Sequence, residues 1–316
     1  MRKYQEALPQ LGEALFLTDG GLETTLIFHN QVDLPLFAAF DLVKSAEGVE
    51  QLISYYRRYL EIAQNAGLGF ILESPTWRAN RDWGRRLGYT DESLRKANID
   101  CISLMEKIRS EYEHIPVVIS GCIGPRGDGY RAATFDAQEA QAYHQEQINT
   151  FSETTVDLVS AVTMTNINEA IGIALAAKQC NLPVVISFTV ETNGCLPSGE
   201  TIEQAINLVD LATEHYPAYY MINCAHATHF EDSLPIGKTQ LRLKGVRANA
   251  SKCSHQELDE SPTLDDGNPE EFGYDYARLK TRLTGLSVVG GCCGTDHRHI
   301  HKICQTLSSK PQVSAN

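Results

Sequence analysis

Eight short, mostly apolar runs occur along this chain in alternation with stretches of helical hydrophobic periodicity, and this alternation limits the available folds more than any other feature. The runs are 15–18, 69–73, 116–120, 156–163, 183–189, 218–222, 243–246 and 286–289, with helices expected over 5–14, 46–66, 91–112, 136–154 and 166–179 and another opening near Thr201. Most of the runs do not alternate apolar with polar, so both faces of each strand need cover, as in a parallel sheet wrapped by helices. Eight strand–helix units predict an α/β architecture of the (β/α)8, or TIM barrel, type, in a single domain spanning 1–316. An open doubly wound sheet is the runner-up, but no GxGxxG follows the first run and no Walker loop occurs.

Composition narrows the partners. The 316 residues carry a formal net charge of -13 and no long basic run, which argues against nucleic acid and anionic membranes. No window approaches the ~20 apolar residues of a membrane span, so a soluble cytoplasmic protein acting on small molecules is expected. Nine cysteines, an odd number spread over a large chain, do not form a disulfide framework and point to a reducing compartment. Cys101, Cys180 and Cys304 fall in helical patterns and read as packing residues, whereas Cys122, Cys195 and Cys253 stay open.

In a barrel of this type the chemistry sits at the carboxyl ends of the strands. Those ends supply Asp19, Glu73 with Thr76 and Trp77, Gly121, Thr163, Thr189 with Glu191, Asn223 with Cys224 and His226, Asn249 with Ser251, and the pair Cys292–Cys293. The pair follows a strand that Gly290 and Gly291 are expected to stop, and the glycines let two neighbouring thiols face one point. Adjacent cysteines can equally be small core residues. Cys224 offers a third thiol from strand six, whose end lies about 10 Å from that of strand eight by the ~4.8 Å strand spacing. Three converging thiolates suit Zn²⁺ with one open position. A free thiol with pKa ~8.5 is barely ionised at neutral pH, so a metal that binds an exogenous thiol as thiolate supplies a nucleophile, and the chemistry to expect is alkyl transfer to sulfur. His226 is an alternative ligand, although a histidine two residues past a cysteine more often packs or supports.

The residues Gly290–Thr295, with Asn223–Cys224 and Asp19–Gly20–Gly21, strongly resemble the homocysteine S-methyltransferase family. The resemblance extends through Gly121–Pro125, Ser187–Thr189 with Ser198–Gly199, and Ala248–Ala250, and covers nearly the whole chain. It implies a zinc-dependent barrel that methylates homocysteine to methionine, with Cys224, Cys292 and Cys293 as the zinc ligands. Members typically carry Glu-Thr at the end of strand four, the Glu helping to hold the substrate's amino group. This chain has Val162–Thr163 there. Asp19, matching the other amino-group contact, remains, and Glu73 is a replacement carboxylate unless it pairs with Arg78 or Arg81. Thr163 and Asn249 complete the expected substrate contacts. The short chain looks more like enzymes that use S-methylmethionine or S-adenosylmethionine than like betaine-using relatives with an extra C-terminal arm. Trp77 is the aromatic face expected to meet a cationic donor. The acidic segment 251–271 is either a solvated loop or a lid. The alternatives are a different acceptor thiol, a separate corrinoid partner, or a zinc- or redox-responsive binding protein without turnover.

Overall fold

The computed structural model describes residues 2–4, 6–131, 135–259, 261 and 263–308. Its eight strands are β1 (Phe16–Leu17), β2 (Gly69–Glu73), β3 (Val117–Ile123), β4 (Leu158–Met164), β5 (Val184–Phe188), β6 (Tyr219–Asn223), β7 (Leu243–Ala248) and β8 (Val288–Gly291). They pair in parallel in chain order, and Phe16 opposite Val288 closes the ring. This is the expected barrel. Among the described residues, no helix is long and apolar enough to cross a membrane.

Helices start where a side chain can take up free backbone N–H groups. Ser45 caps helix Ala46–Ala66 by accepting from Gly48, Thr90 forms a capping box with Ser93 ahead of Asp91–Arg109, and Thr201 forms one with Gln204 ahead of Ile202–Thr213. Apolar faces of these helices pack on the outward residues of the strands, such as Leu17, Leu72, Ile119, Ile186 and Val289, to form the larger core.

The inward residues make two layers of different character. Phe16, Ile71, Val118, Leu158, Val185, Tyr219, Met221 and Val288 fill the lower interior as one apolar cluster. One step further along the strands the inward positions turn polar: Glu73, Ser120, Ser160, Ser187, Asn223 and Arg247, all but Arg247 fully buried. Ser120 and Ser160 share a 2.7 Å hydrogen bond, and Ser187 donates to Asn223 at 2.6 Å. The barrel is plugged at one end and polar at the other.

Two expectations change. Instead of a helix over 5–14 there is a single 3-10 turn, Pro9–Leu11, because this segment closes the bottom of the barrel: Leu8 joins the interior cluster, Tyr4 packs against it, and the Gln10 carbonyl accepts from Ser287. Gln5 lies outside the described residues, as do Glu260 and Pro262 of the expected lid. Gly290 and Gly291 do not stop strand eight; they continue its ladder opposite Arg247 and Ala248. A side chain at Gly290 would fall 1.9 Å from Thr18 Oγ1, so glycine there lets the strand-one end approach.

Helix His297–Ser308 follows the Cys292–Cys293 turn, and Asp296 anchors its start by accepting from the Arg298 amide at 2.8 Å and pairing with the Arg298 guanidinium at 2.7 Å. Burial alone would raise the Asp296 pKa, but hydrogen bonds from His299 and Arg298 outweigh it and hold the carboxyl well below its ordinary value of 3.8. A depressed carboxyl stabilises the fold at any pH above that ordinary value, and the contribution is lost as pH falls below it. Asp296→Asn should therefore lower the Tm at pH 7 and flatten the decline in Tm on acidification below pH ~4 relative to wild type; equal acid slopes in thermal melts would count against this.

Candidate metal centre and active site

At the polar end of the barrel Cys224 Sγ, Cys292 Sγ and Cys293 Sγ lie within 4.8 Å of one another, with Cys224 and Cys293 3.6 Å apart. A tetrahedral metal with Zn–S bonds of ~2.3 Å separates its sulfurs by ~3.8 Å. The described residues therefore fit the ion in donor type and spacing. Backbone geometry brings the thiols together. Cys224 takes a left-handed conformation (φ 57°) just past β6. Cys292 and Cys293 lie beyond the last residue of β8, in a turn closed by the Thr295 amide and hydroxyl donating to the Cys292 carbonyl. Gly294, at φ 78°, completes that turn.

The neighbours of the sulfurs explain their protonation. The neighbouring Cys224 and Cys293 thiols and the charge of Arg247 lower the Cys292 pKa, while contacts within the cluster and burial push the Cys224 and Cys293 thiols up. Tyr130 Oη lies 3.5 Å from Cys224 Sγ and 3.8 Å from Cys293 Sγ. Its ring stacks on His255 at 4.4 Å, and His255 Nε2 donates to the Cys224 carbonyl at 2.5 Å. His226 is not a fourth member: it caps helix Ala227–Phe230 by accepting from Thr228, its Nε2 faces Asp275, and burial lowers its pKa to about 4.

Asn223 holds the floor of the site. Its Oδ1 accepts from the Thr163 amide at 2.8 Å, and its Nδ2 donates to Thr163 Oγ1 at 2.9 Å and points at Cys292 Sγ, 3.8 Å away. Thr163 itself sits at φ 62°, a costly conformation for a β-branched residue, which this pair of bonds pins in place.

The thiols open into a cavity of about 370 Å³ whose walls include Asp19, Glu73, Trp77, Val162 and Thr163. Asn249 is not among them; it is buried behind the wall, its amide bonded to Ala225 and its Oδ1 without a partner among the described residues. Segment 251–271 covers part of the mouth: Leu258, Leu264 and Asp265 line the cavity, and helix His255–Asp259 carries the histidine that stacks on Tyr130. Of the two readings of this segment, the lid is the one the geometry supports. Cys122 also reaches the cavity; Cys195 sits half-buried in a loop bridged to Thr201, and Cys253 is exposed. Cys101 and Cys304 are buried packing residues, and Cys180 is half-buried at a helix end.

Arg247, on β7, was not singled out from sequence. Its Nη2 donates to Asp19 Oδ1 at 2.6 Å, its Nη1 to Glu73 Oε2, and its Nε to the Gly291 carbonyl at 3.0 Å. The partner of Glu73 is therefore Arg247, neither Arg78 nor Arg81. Tyr55 donates to Asp19 Oδ2 and Ser120 to Glu73 Oε1, so each of the four carboxylate oxygens already has a donor. Burial raises the Asp19 pKa to about 6 against the pull of Arg247, and Asp19 with Glu73 outweighs burial to keep Arg247 charged. Trp77 lines the cavity with one ring face taken: the Arg78 guanidinium lies 4.2 Å from its centroid.

The family model described as homocysteine S-methyltransferase matches residues 16–307. The chain belongs to the homocysteine S-methyltransferase family. Among curated relatives, homocysteine S-methyltransferase 3 of Arabidopsis thaliana is 23% identical over 63% of this chain and 60% of its own length, less than two thirds of that protein. Betaine–homocysteine S-methyltransferase 1 of Rattus norvegicus is 23% identical over 92% of this chain and 71% of its own. The metallated form of the homocysteine methyltransferase MmuM from Escherichia coli shares the fold, with a TM-score of 0.71 and 18% identity over 93% of this chain and 96% of that one.

Within this family fold, Arg247 could have been suspected from sequence, since an arginine at the end of strand seven needs carboxylate partners where it is buried. Arg247→Met should leave Asp19 and Glu73 facing each other without a counter-charge and cost roughly 3–5 kcal/mol of stability, measured by denaturant unfolding. A loss under ~1 kcal/mol would mean that the pair is solvated and dispensable.

Proposed function

We propose that this protein is a zinc-dependent methyltransferase that moves a methyl group from a sulfonium donor, S-methylmethionine or S-adenosylmethionine, to the sulfur of homocysteine, giving methionine. The observation that carries the reading is the convergence of Cys224, Cys292 and Cys293 on one point at the open end of the barrel. These three side chains would hold Zn²⁺, which when bound supplies a site that keeps an acceptor sulfur as thiolate at neutral pH.

The chain's own residues supply the rest. The neighbouring thiols and the Arg247 charge lower the Cys292 pKa, which favours the thiolate form that would ligate the ion. Tyr130 and Asn223 each face a sulfur and fix its direction. Leu258 and Leu264 of the lid, with Phe28 and Phe37, give the cavity part of its apolar lining. In-line attack by that sulfur forms the new S–CH3 bond as the donor's sulfonium S–CH3 bond breaks; the donor leaves as a neutral thioether, and the proton of the acceptor thiol has gone to solvent. No covalent enzyme intermediate is required. A cationic donor also suits a cavity whose ionisable walls include Asp19, Glu23, Glu73, Asp128 and Asp265 against Arg78 and Arg247.

One observation favours a second reading, an acceptor thiol other than homocysteine. Val162 stands where the family's amino-binding glutamate would be, and Asp19 and Glu73 are engaged by Arg247.

Protein purified under reducing conditions should contain one zinc per chain, lost in Cys292→Ala, and should form methionine from homocysteine and S-methylmethionine only when zinc is present. Absence of bound zinc by elemental analysis would remove the mechanism. Zinc binding with methylation of another thiol alone would select the second reading.

A further inference from the structure

Four charged-type side chains of the cavity wall, Glu23, Arg78, Asp128 and Asp265, stand in no salt bridge within 4.0 Å among the described residues, and Arg78 is the one cation of the four. Glu23 stands in the short helix Leu22–Thr24 just after β1, half-buried; its carboxylate bonds its own backbone amide, and no cation lies within 4.0 Å of it among the described residues. Arg78 leaves β2 between two indoles, its guanidinium 4.2 Å from the Trp77 centroid and 3.8 Å from that of Trp83. One of its N–H groups donates to the Gly127 carbonyl at 3.2 Å, while its buried Nε has no partner and no carboxylate lies within ion-pair distance among the described residues. Burial raises the Glu23 pKa to about 7 and lowers that of Arg78 to about 10, and each feels the other's charge without touching it. Both line the cavity that holds the three thiols.

Each of the other acidic walls accepts a hydrogen bond from another residue: Asp19 and Glu73 share Arg247, Asp128 accepts from the Tyr130 amide, and Asp265 accepts from Ser251 and from the Gly267 amide. An acidic and a basic side chain without a salt bridge, in the wall of the cavity that holds a cluster able to take a sulfur, complement a thiol bearing both an ammonium and a carboxylate.

We infer that Glu23 and Arg78 form the amino-acid recognition pair of this enzyme, Glu23 receiving the α-ammonium and Arg78 the α-carboxylate of the acceptor thiol. The assignment rests on the homocysteine reading above. It moves ammonium recognition from Asp19 and the position of Val162 to a residue four beyond Asp19, and it gives the carboxylate a side-chain partner packed against two indole rings, so that little freedom is lost on binding.

The test compares three acceptors on the zinc-loaded protein with one sulfonium donor: homocysteine, 4-mercaptobutanoic acid, which lacks the ammonium, and 3-aminopropane-1-thiol, which lacks the carboxylate. Wild type should prefer homocysteine to each analogue by about 10- to 100-fold in kcat/KM, the range of a hydrogen bond to a charged group. Glu23→Gln should raise the KM and the calorimetric Kd for homocysteine by a similar factor and leave 4-mercaptobutanoic acid unchanged. Arg78→Met should weaken homocysteine and leave 3-aminopropane-1-thiol unchanged, with partial recovery in Arg78→Lys. If wild type does not discriminate among the three, or if a variant weakens all three by one factor, the pair is overturned. A rise in donor KM alone in Glu23→Gln would assign Glu23 to the sulfonium and overturn it as well. If wild type binds zinc but methylates no homocysteine, the failure belongs to the proposed function.

Discussion

The guanidinium of Arg247 ties together four strand ends. From β7 it reaches Asp19 after β1, Glu73 at the end of β2, and the Gly291 carbonyl on β8, the residue that leads into the paired cysteines. A charge buried this deeply would be ruinous alone, and two carboxylates this close would repel; together they satisfy one another. The consequence reaches the thiols, because the strand that presents Cys292 is held at its last residue by the same arginine whose charge favours the Cys292 thiolate. The ion network thus holds the strand end that presents Cys292 and adds its charge to the effect of the neighbouring thiols.

A second constraint is backbone strain. Thr163 and Cys224 both adopt left-handed conformations that L side chains avoid, and both border the cavity. Asn223 holds the first through two hydrogen bonds, while its Nδ2 also faces Cys292. His255 from the lid holds the second through the Cys224 carbonyl. Such conformations persist only where surrounding bonds over-determine them. Here the bonds that hold the strain are also the ones that aim the sulfurs. The lid therefore does more than cover the mouth: through His255 and Tyr130 it touches the cluster.

Most of the barrel was legible because continuous apolar runs and capped helical segments are local signals, and the three cysteines stood out because all of them fall at strand ends, where a barrel of this type places its chemistry. What escaped was set by tertiary contact. The first expected helix failed because Leu8 and Gln10 gain more by closing the barrel floor than by continuing a helix. Glu73 was given the wrong arginines because its partner lies 174 residues away, on the strand that only barrel closure brings opposite. Asn249 follows β7 as expected, yet the chain turns there to bond Ala225 and carries the side chain behind the wall. Trp77 was legible as a cavity aromatic, but the next residue in sequence already covers one face of it.

The charge layout of the cavity bears on how a ligand could lie beside the three thiols. Arg247 is engaged by Asp19 and Glu73, whereas Glu23 places a carboxylate beside β1 and Arg78 a guanidinium beside β2. The cavity is acidic overall, and Glu23 and Arg78, which stand in no salt bridge, lie at its β1 and β2 edge, in the same wall as Cys292 and Cys293. An acceptor bound through sulfur at the cysteines would accordingly lie along that edge, with its polar end toward Trp77 and Trp83 and away from Val162, leaving the β4 side of the cavity and its apolar valine to the donor's thioether arm.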